Sequence, residues 1–282
     1  MALKFAAAAD TMGIDLGTSK CCAAVNRRNG IEAVALDYKG ERLLPSFVSF
    51  DEKKPICGNL VIDRLRNFSN FTVFDSKRII GRKMGDIVLE EIWPFGIIEK
   101  DGKIFMSVKK VNGKGCVSAE EVAAILLKKV KEESEKFQGK KLADVVITVP
   151  AAFTKAQKDA TIEAAKLAGF KEVKLLPEPI AAAFAYFINR PIPNNSTVLL
   201  FDLGGGTLDV CIFKIINDQI CIISNTGDSK LGGRDFDTIL INHFKNQLST
   251  KYNITLLSKR NYQMMTTCQK IKETLSVMDK SL

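Results

Sequence analysis

The chain has 282 residues, of which 46% are hydrophobic, so it is long enough to bury a substantial core and intrinsic disorder is excluded for most of it. Lysine and arginine exceed aspartate and glutamate by 41 to 32, but few aromatic residues stand among the basic ones near the chain end, which argues against a nucleic-acid surface. No segment reaches the roughly 20 apolar residues of a membrane span, and the seven cysteines form no CxxC pair, which favours reduced thiols in a cytoplasmic chain over a zinc site or a disulfide framework.

The first regular pattern along the chain is a helix followed by a strand. Ser118 and Glu121 form a capping box, and the apolar spacing after it predicts a helix that runs to about Phe137. The apolar run 145–149, which is closed by a proline, predicts a buried strand.

The helix and strand pattern then repeats. Thr154 and Gln157 form a second capping box, and Gly169 is placed to end this helix in the left-handed conformation. Residues 173–176 predict another strand, and residues 180–188 another helix. This alternation indicates an α/β fold.

Two prolines and a polar cluster in residues 189–196 interrupt both helix and sheet, so we expect a first lobe over 1–190 and a second over 191–282. The second lobe is predicted to contain strands at 197–202, 208–216 and 219–225 and a helix at about 235–248. A glycine-rich turn at 204–206 separates the first two of these strands.

A short sequence pattern, which we call the internal echo, occurs once in each predicted lobe. The segment 14–18 reads IDLGT and the segment 201–207 reads FDLGGGT, so each is an apolar strand that ends in aspartate, glycine and a hydroxyl. Glycine turns let backbone N–H groups approach anionic oxygens. Asp15 and Asp202, facing each other across a cleft, would hold Mg²⁺ mostly through its water ligands. Either motif alone is better explained as an ordinary β-turn, and it is the occurrence of the pair that favours a phosphate and metal site.

Six ordered segments resemble the nucleotide-binding domain of the Hsp70 family: GIDLGTSK (13–20), FDSKRIIGRK (74–83), VVITVPAAFTKAQKDAT (145–161), LLPEPIAAAFAY (175–186), LLFDLGGGTLDV (199–210) and GDSKLGGRDFD (227–237). The resemblance implies an actin-like ATPase fold of two duplicated lobes, with ATP or ADP and Mg²⁺ in the cleft. It further implies slow hydrolysis that supports protein folding, and co-chaperones as partners. The family domain continues well beyond position 282, so we expect the second lobe to be incomplete here and to expose apolar surface.

The resemblance also assigns roles to individual residues. Catalytic roles fall on Lys77, Glu178, Asp202 and Thr207, and roles around the metal on Asp15, Glu178, Asp202 and Asp209. Nucleotide-binding roles fall on Gly17, Thr18, Ser19, Gly204, Gly205, Gly206, Thr207, Gly232, Gly233, Lys272 and Ser276. These residue types suit phosphoryl transfer, which needs positioning and charge neutralisation more than covalent chemistry. Without the resemblance, Lys77 would be interpreted as part of a solvated face and Glu178 as a complement to a helix dipole.

Four positions depart from the family pattern. Gln269 replaces a glutamate, and Glu273 replaces the arginine that packs on the base. Lys20 replaces a tyrosine beside the first turn, and Arg234 replaces the usual acidic residue after Gly232 and Gly233. Loss of the guanidinium stack predicts weak selectivity for adenine.

Three functions remain open. The first is an Hsp70-type ATPase module, and the second is a catalytically weak or inactive relative that binds partners or nucleotide without useful turnover. The third is a sugar or acetate kinase on the same fold, for which no acceptor site is visible. A P-loop NTPase and a protein kinase are excluded because their motifs are absent. His243 is the only histidine and lies in a predicted amphipathic helix, which argues against a Ser-His-Asp triad and against a metal site with several histidine ligands.

Overall fold

The structure is a computed structural model that describes residues 11–188, 190, 193–217, 219–256 and 258–278. Its helices are α1 (Asn59–Phe68), α2 (Ala119–Gln138), α3 (Lys155–Leu167), α4 (Glu178–Phe187), α5 (Gly233–Tyr252) and α6 (Ser258–Leu275). Its strands are β1 (Thr11–Leu16), β2 (Lys20–Arg27), β3 (Gly30–Ala33), β4 (Leu44–Pro45), β5 (Phe47–Ser49), β6 (Ile56–Cys57), β7 (Thr72–Phe74), β8 (Gly96–Lys100), β9 (Lys103–Lys110), β10 (Gly113–Val117), β11 (Asp144–Val149), β12 (Glu172–Pro177), β13 (Thr197–Leu203), β14 (Leu208–Ile216) and β15 (Gln219–Asp228). The predicted α/β class is therefore confirmed. Among these helices, none is both long and apolar enough to cross a bilayer.

The first lobe is built on a mixed sheet in the order β12-β11-β1-β2-β3, with β4 paired to β2. β11 is parallel to both β1 and β12, whereas β2 is antiparallel to β1 and β3. Parallel strands need crossover connections, and α3 supplies the one between β11 and β12. Met12, Ile14 and Leu16 alternate with less buried residues along β1 and belong to the main apolar core.

Both predicted capping boxes are present. The Oγ of Ser118 accepts from the backbone N–H of Glu121 at 3.1 Å, and the Glu121 carboxylate accepts from the Ser118 N–H at 2.7 Å. Thr154 and Gln157 make the equivalent reciprocal contacts at 3.3 and 3.1 Å. Each box satisfies N–H groups that a helix start would otherwise leave unpaired, so α2 begins at residue 119 and α3 at 155. Gly169 has φ +89°, as predicted for a glycine that follows a helix.

The second lobe contains the antiparallel sheet β13-β14-β15 and the helices α5 and α6. Ala183 of α4 packs with Cys211, Phe213 and Ile215 of β14 to form a second, smaller core. α6 also packs on α1, and Met265 of α6 joins the main core. The two lobes are therefore joined by α4 on one side and by α6 on the other.

Two elements, β15 and α5, extend three and four residues beyond their predicted ends. β15 extends to Asp228 because its pairing with β14 continues as far as Leu208. α5 ends at Tyr252 and not near residue 248, because the residue in the left-handed conformation is Asn253, whose N–H donates to the carbonyl of Ser249 at 3.2 Å. Of the predicted boundary 189–196, residues 189, 191 and 192 lie outside the described residues, and the division at 190/191 stays a prediction.

Candidate functional site

A cleft of about 790 Å³ lies between the two lobes. Most residues with a predicted site role line this cleft, and they come from both lobes: Asp15, Gly17, Thr18, Ser19, Lys77, Glu178, Asp202, Gly204, Gly205, Thr207, Gly233, Lys272 and Ser276. Residues more than 250 positions apart in the sequence thus share one cavity, which is large enough for a nucleotide-sized ligand.

The two glycine turns of the internal echo meet at the floor of the cleft. Each turn connects an antiparallel pair, β1 with β2 and β13 with β14. A Cβ added to Gly205 would lie 2.1 Å from the Oγ of Ser19, and one added to Gly206 would lie 2.7 Å from the Cγ2 of Thr18. The absence of side chains on these glycines is therefore what lets the second-lobe turn rest on the first-lobe turn.

A third turn packs behind the second one. A Cβ on Gly232 would lie 2.5 Å from the backbone nitrogen of Gly206, and the Gly233 N–H donates to the Gly204 carbonyl at 2.9 Å. Gly206 and Gly232 are buried against each other and do not line the cleft. Their glycine identity is explained by this backbone contact between turns.

Asp209 is the third predicted residue that does not line the cleft. Its side chain is buried, and its Oδ1 accepts a hydrogen bond from the Ala151 N–H at 3.2 Å. It lies opposite Asp202 in the ladder between β13 and β14. Burial raises the pKa of Asp209, and the hydrogen bond from Ala151 opposes that rise. Asp209 thus fastens the second-lobe hairpin to the start of the loop before α3.

Lys77 and Glu178 form an ion pair on the first-lobe wall. The Lys77 Nζ donates to the Glu178 Oε1 at 2.7 Å, and the two side chains are only 10% and 15% exposed. Lys77 follows Asp75 on a short 3₁₀ turn, while Glu178 is the first residue of α4. The alternative of a solvated lysine face is therefore wrong for Lys77. Burial raises the pKa of Glu178, although the charge of Lys77 opposes the rise.

Carboxylates gather around this ion pair. Burial raises the pKa of Asp202, and the negative charge of Asp15 raises it further, while Lys77 lowers it. Asp15 accepts a hydrogen bond from the Thr148 hydroxyl at 3.0 Å. Electrostatic repulsion between Asp15 and Asp202 in a partly buried cleft would be relieved by a cation.

Hard oxygen donors of this kind fit Mg²⁺. Among the described residues, no three histidine, cysteine, aspartate or glutamate side chains lie close enough to form a direct metal site. Mg²⁺ dehydrates reluctantly and is often held through one or two carboxylates and several waters. Asp15 and Asp202, which both line the cleft, therefore suit a hydrated ion, and their role at the metal stays a prediction.

Another wall of the cleft is formed by α5 and α6. The Lys272 Nζ is paired with the Asp237 Oδ1 at 2.7 Å and donates to the Gly233 carbonyl at 2.7 Å, so its ammonium group is fixed at the wall. Phe236 also lines the cleft and is 44% exposed, but no sequence motif indicated it. The cleft-lining alanines of α4 were not predicted either, although their spacing at 181, 182 and 185 is a helical signal of a shared face.

Comparison with known proteins gives a consistent result. The family model described as Hsp70 protein matches residues 11–282. The chain is 36% identical over 273 residues to a heat shock 70 kDa protein of Emericella nidulans, which covers 95% of the chain and 42% of that relative. It is 35% identical over 271 residues to a ribosome-associated molecular chaperone of Zygosaccharomyces rouxii, at 94% and 44% coverage. A putative heat shock 70 kDa protein 7 of Homo sapiens is 35% identical over 270 residues, at 94% and 73% coverage.

Proposed function

The chain belongs to the Hsp70 family and has its actin-like α/β ATPase fold, and we propose that its cleft binds ATP or ADP with Mg²⁺ and hydrolyses ATP slowly to support protein folding. The observation that carries this proposal is the contact between the two glycine turns beside the Lys77–Glu178 pair, at the floor of a cleft of about 790 Å³. The chain spans 42% of the length of the relative from Emericella nidulans, so the activity of a whole chaperone is part of the proposal.

Each residue has a physical role in this mechanism. The hydroxyls of Thr18, Ser19 and Thr207, with the backbone amides of the two turns, bind phosphate oxygens. Asp15 and Asp202 would hold hydrated Mg²⁺, which neutralises phosphate charge when bound.

The Lys77–Glu178 pair acts at the phosphoryl group that is transferred. The ammonium of Lys77 stabilises negative charge as it is redistributed in the transition state. The carboxylate of Glu178, fixed at the start of α4, orients the attacking water. Because both side chains are held by each other and by burial, little reorganisation is needed during the reaction.

A second candidate is a relative that binds nucleotide or partners with little turnover. It is favoured by the Lys20 to Glu273 ion pair, 3.5 Å long, at the end of the cleft where the family pattern has an arginine that packs on the base. Nucleotide binding without measurable hydrolysis would support this candidate over the ATPase module.

Partners and location are also proposals. Relatives of this chain are named as heat shock proteins and as a ribosome-associated chaperone, which supports a cytoplasmic chaperone role with co-chaperones and a link to stress. Cell fractionation with immunoblotting before and after heat stress tests this. Exclusive recovery in a membrane fraction would contradict it.

The catalytic assignment is tested by Lys77→Ala in single-turnover ATP hydrolysis. We expect turnover to fall by about 10² to 10³, or roughly 3 to 4 kcal/mol of transition-state stabilisation, because a preorganised cation is lost. Lys83→Ala is the control, since Lys83 lies in the same segment but is exposed. A thermal melt must show that Lys77→Ala remains folded, because it leaves Glu178 buried without its partner. Full activity in folded Lys77→Ala would contradict the assignment.

A further inference from the structure

A continuous chain of side-chain contacts connects the two lobes at two places, one in the cleft and one buried outside it. The Lys20 Nζ lies 3.5 Å from the Glu273 Oε1, and the Gln269 Nε2 donates to the same Oε1 at 3.0 Å. Arg234 donates from Nη1 to the Gln269 Oε1 at 3.5 Å and from Nε to the Asp75 Oδ1 at 3.0 Å. We call these five residues the inter-lobe clamp. Both ends of the clamp belong to the first lobe. Lys20 is next to Ser19 in the sequence, and Asp75 precedes Lys77 by two residues.

The Arg234 end of the clamp is buried. The side chains of Arg234 and Asp75 are 6% and 2% exposed, and the guanidinium lies over the rings of Phe47 and Phe74 at 5.3 and 5.6 Å. Trp93 donates from Nε1 to the other carboxylate oxygen of Asp75 at 3.3 Å. A second-lobe cation is thus inserted into a first-lobe pocket, and separation of the lobes would leave the buried Asp75 without its main partner.

The Lys20 end of the clamp lies in the cleft itself. Lys20, Gln269 and Glu273 all line the cavity, Lys20 from β2 and the other two from α6. Burial opposes ionisation of Glu273, but the hydrogen bond from Gln269 and the charge of Lys20 outweigh it and lower the pKa of Glu273. The carboxylate of Glu273 has no cationic face on which a base could stack. Its Oε1 is also already paired with Lys20 and Gln269.

The four positions at which the sequence departs from the family pattern are therefore in contact with one another. Building on the function proposed above, we propose that the inter-lobe clamp closes, with the chain's own side chains, the end of the cleft at which the family resemblance places the base. Recognition then rests on the Mg²⁺-bound polyphosphate, and the base contributes little. Lys20 and Glu273 are the residues that set this low base specificity, while Gln269 and Arg234 position Glu273.

Ligand comparison by calorimetry tests the specificity directly. Titrations use ATP, GTP and inorganic tripolyphosphate, each with Mg²⁺. We expect the three dissociation constants to agree within about tenfold, because a missing stack removes roughly that much discrimination. A larger preference for ATP would overturn the clamp and leave nucleotide binding intact, whereas no binding of any of the three would overturn both proposals. The double variant Lys20→Tyr with Glu273→Arg should favour ATP over tripolyphosphate several-fold more than the unmodified chain does.

A charge-swap series tests the clamp without any ligand. Trp93 is the only tryptophan of the chain and lies at the Asp75 end of the clamp, so acrylamide quenching of its fluorescence reports opening there. Lys20→Glu and Glu273→Lys should each shift the lobes toward the open state by about two- to fivefold, as for an exposed ion pair, and increase quenching. The double swap should restore the original value. Lys39→Glu, which breaks the Lys39–Asp63 pair within the first lobe, is the control. Unchanged quenching in both single variants would overturn the clamp.

Discussion

The two hairpins of the internal echo share a sequence pattern but differ in what covers them. When Asp15 is aligned with Asp202, Ile14 corresponds to Phe201 and Leu16 to Leu203. Ile14 and Leu16 are 2% and 6% exposed, whereas Phe201 and Leu203 are 64% and 43% exposed. In the first lobe, α2 packs on β2 and covers this face. Among the described residues of the second lobe, no helix covers the equivalent face.

This difference shows that strand alternation alone does not determine burial. The same apolar face becomes core or surface according to whether another element packs on it. The face of β13 that carries Asp202 packs on α4. The two hairpins have the same function on this side, since each presents its aspartate and its turn to the cleft. The exposed apolar surface that the sequence predicted is thus present on β13 and β14.

The difference between the two hairpins is tested with the largest expected effect by truncating the equivalent side chains Ile14 and Phe201. Ile14→Ala should lower the free energy of unfolding by about 2 to 5 kcal/mol, because it removes a fully buried side chain from the main core. Phe201→Ala should change it by less than about 0.5 kcal/mol, because its ring is already exposed to water. Urea denaturation of both variants measures this. Similar losses would show that the second-lobe face is covered in solution.

A smaller effect concerns how α2 is held over the first-lobe sheet. Glu135, near the end of α2, accepts hydrogen bonds from the Lys131 and Lys141 ammonium groups and from the Leu142 N–H. Burial alone would raise the pKa of Glu135, but these hydrogen bonds outweigh it and lower the pKa to about 2. A lowered folded-state pKa means that the carboxylate stabilises the fold fully above about pH 5 and loses this contribution as the pH falls toward 2.

Glu135→Gln should therefore destabilise the chain by about 1 kcal/mol at pH 7, after allowance for solvent screening, and by progressively less toward pH 2. Thermal melts across this pH range measure the difference. The control is Glu132→Gln, which alters an exposed carboxylate on the same helix. An equal loss of stability at pH 7 and pH 2 would contradict the electrostatic explanation.

Features governed by neighbouring residues were predictable from the sequence. The capping boxes at Ser118 and Thr154 and the turn between β13 and β14 follow from residues within a few positions of one another. Lys77 and Glu178, 101 residues apart, were assigned site roles only through the family resemblance, and their ion pair was not predicted. Its short distance and burial could not be derived from local pattern.

The inter-lobe clamp could not be predicted from local sequence pattern or from the family resemblance. Arg234 and Asp75 are separated by 159 positions, and the sequence showed each of the four departures only as a lost family contact. The four side chains replace the lost family contacts with contacts to one another. These form only in the folded chain, so no local sequence pattern indicates them. Asp209 was likewise predicted at the metal because of its motif, whereas its hydrogen bond to Ala151 depends on how the lobes pack.

Calorimetric titration of the chain with ATP, in excess Mg²⁺ and then in EDTA, tests most directly the central claim that the cleft is a metal-nucleotide site. Because the carboxylates of Asp15 and Asp202 would repel an uncompensated triphosphate, we expect one site per chain in Mg²⁺ and binding at least about tenfold weaker in EDTA. Asp202→Asn should reduce this dependence on Mg²⁺. Equal affinity in both conditions, or no binding in Mg²⁺, would contradict a metal-nucleotide site in the cleft.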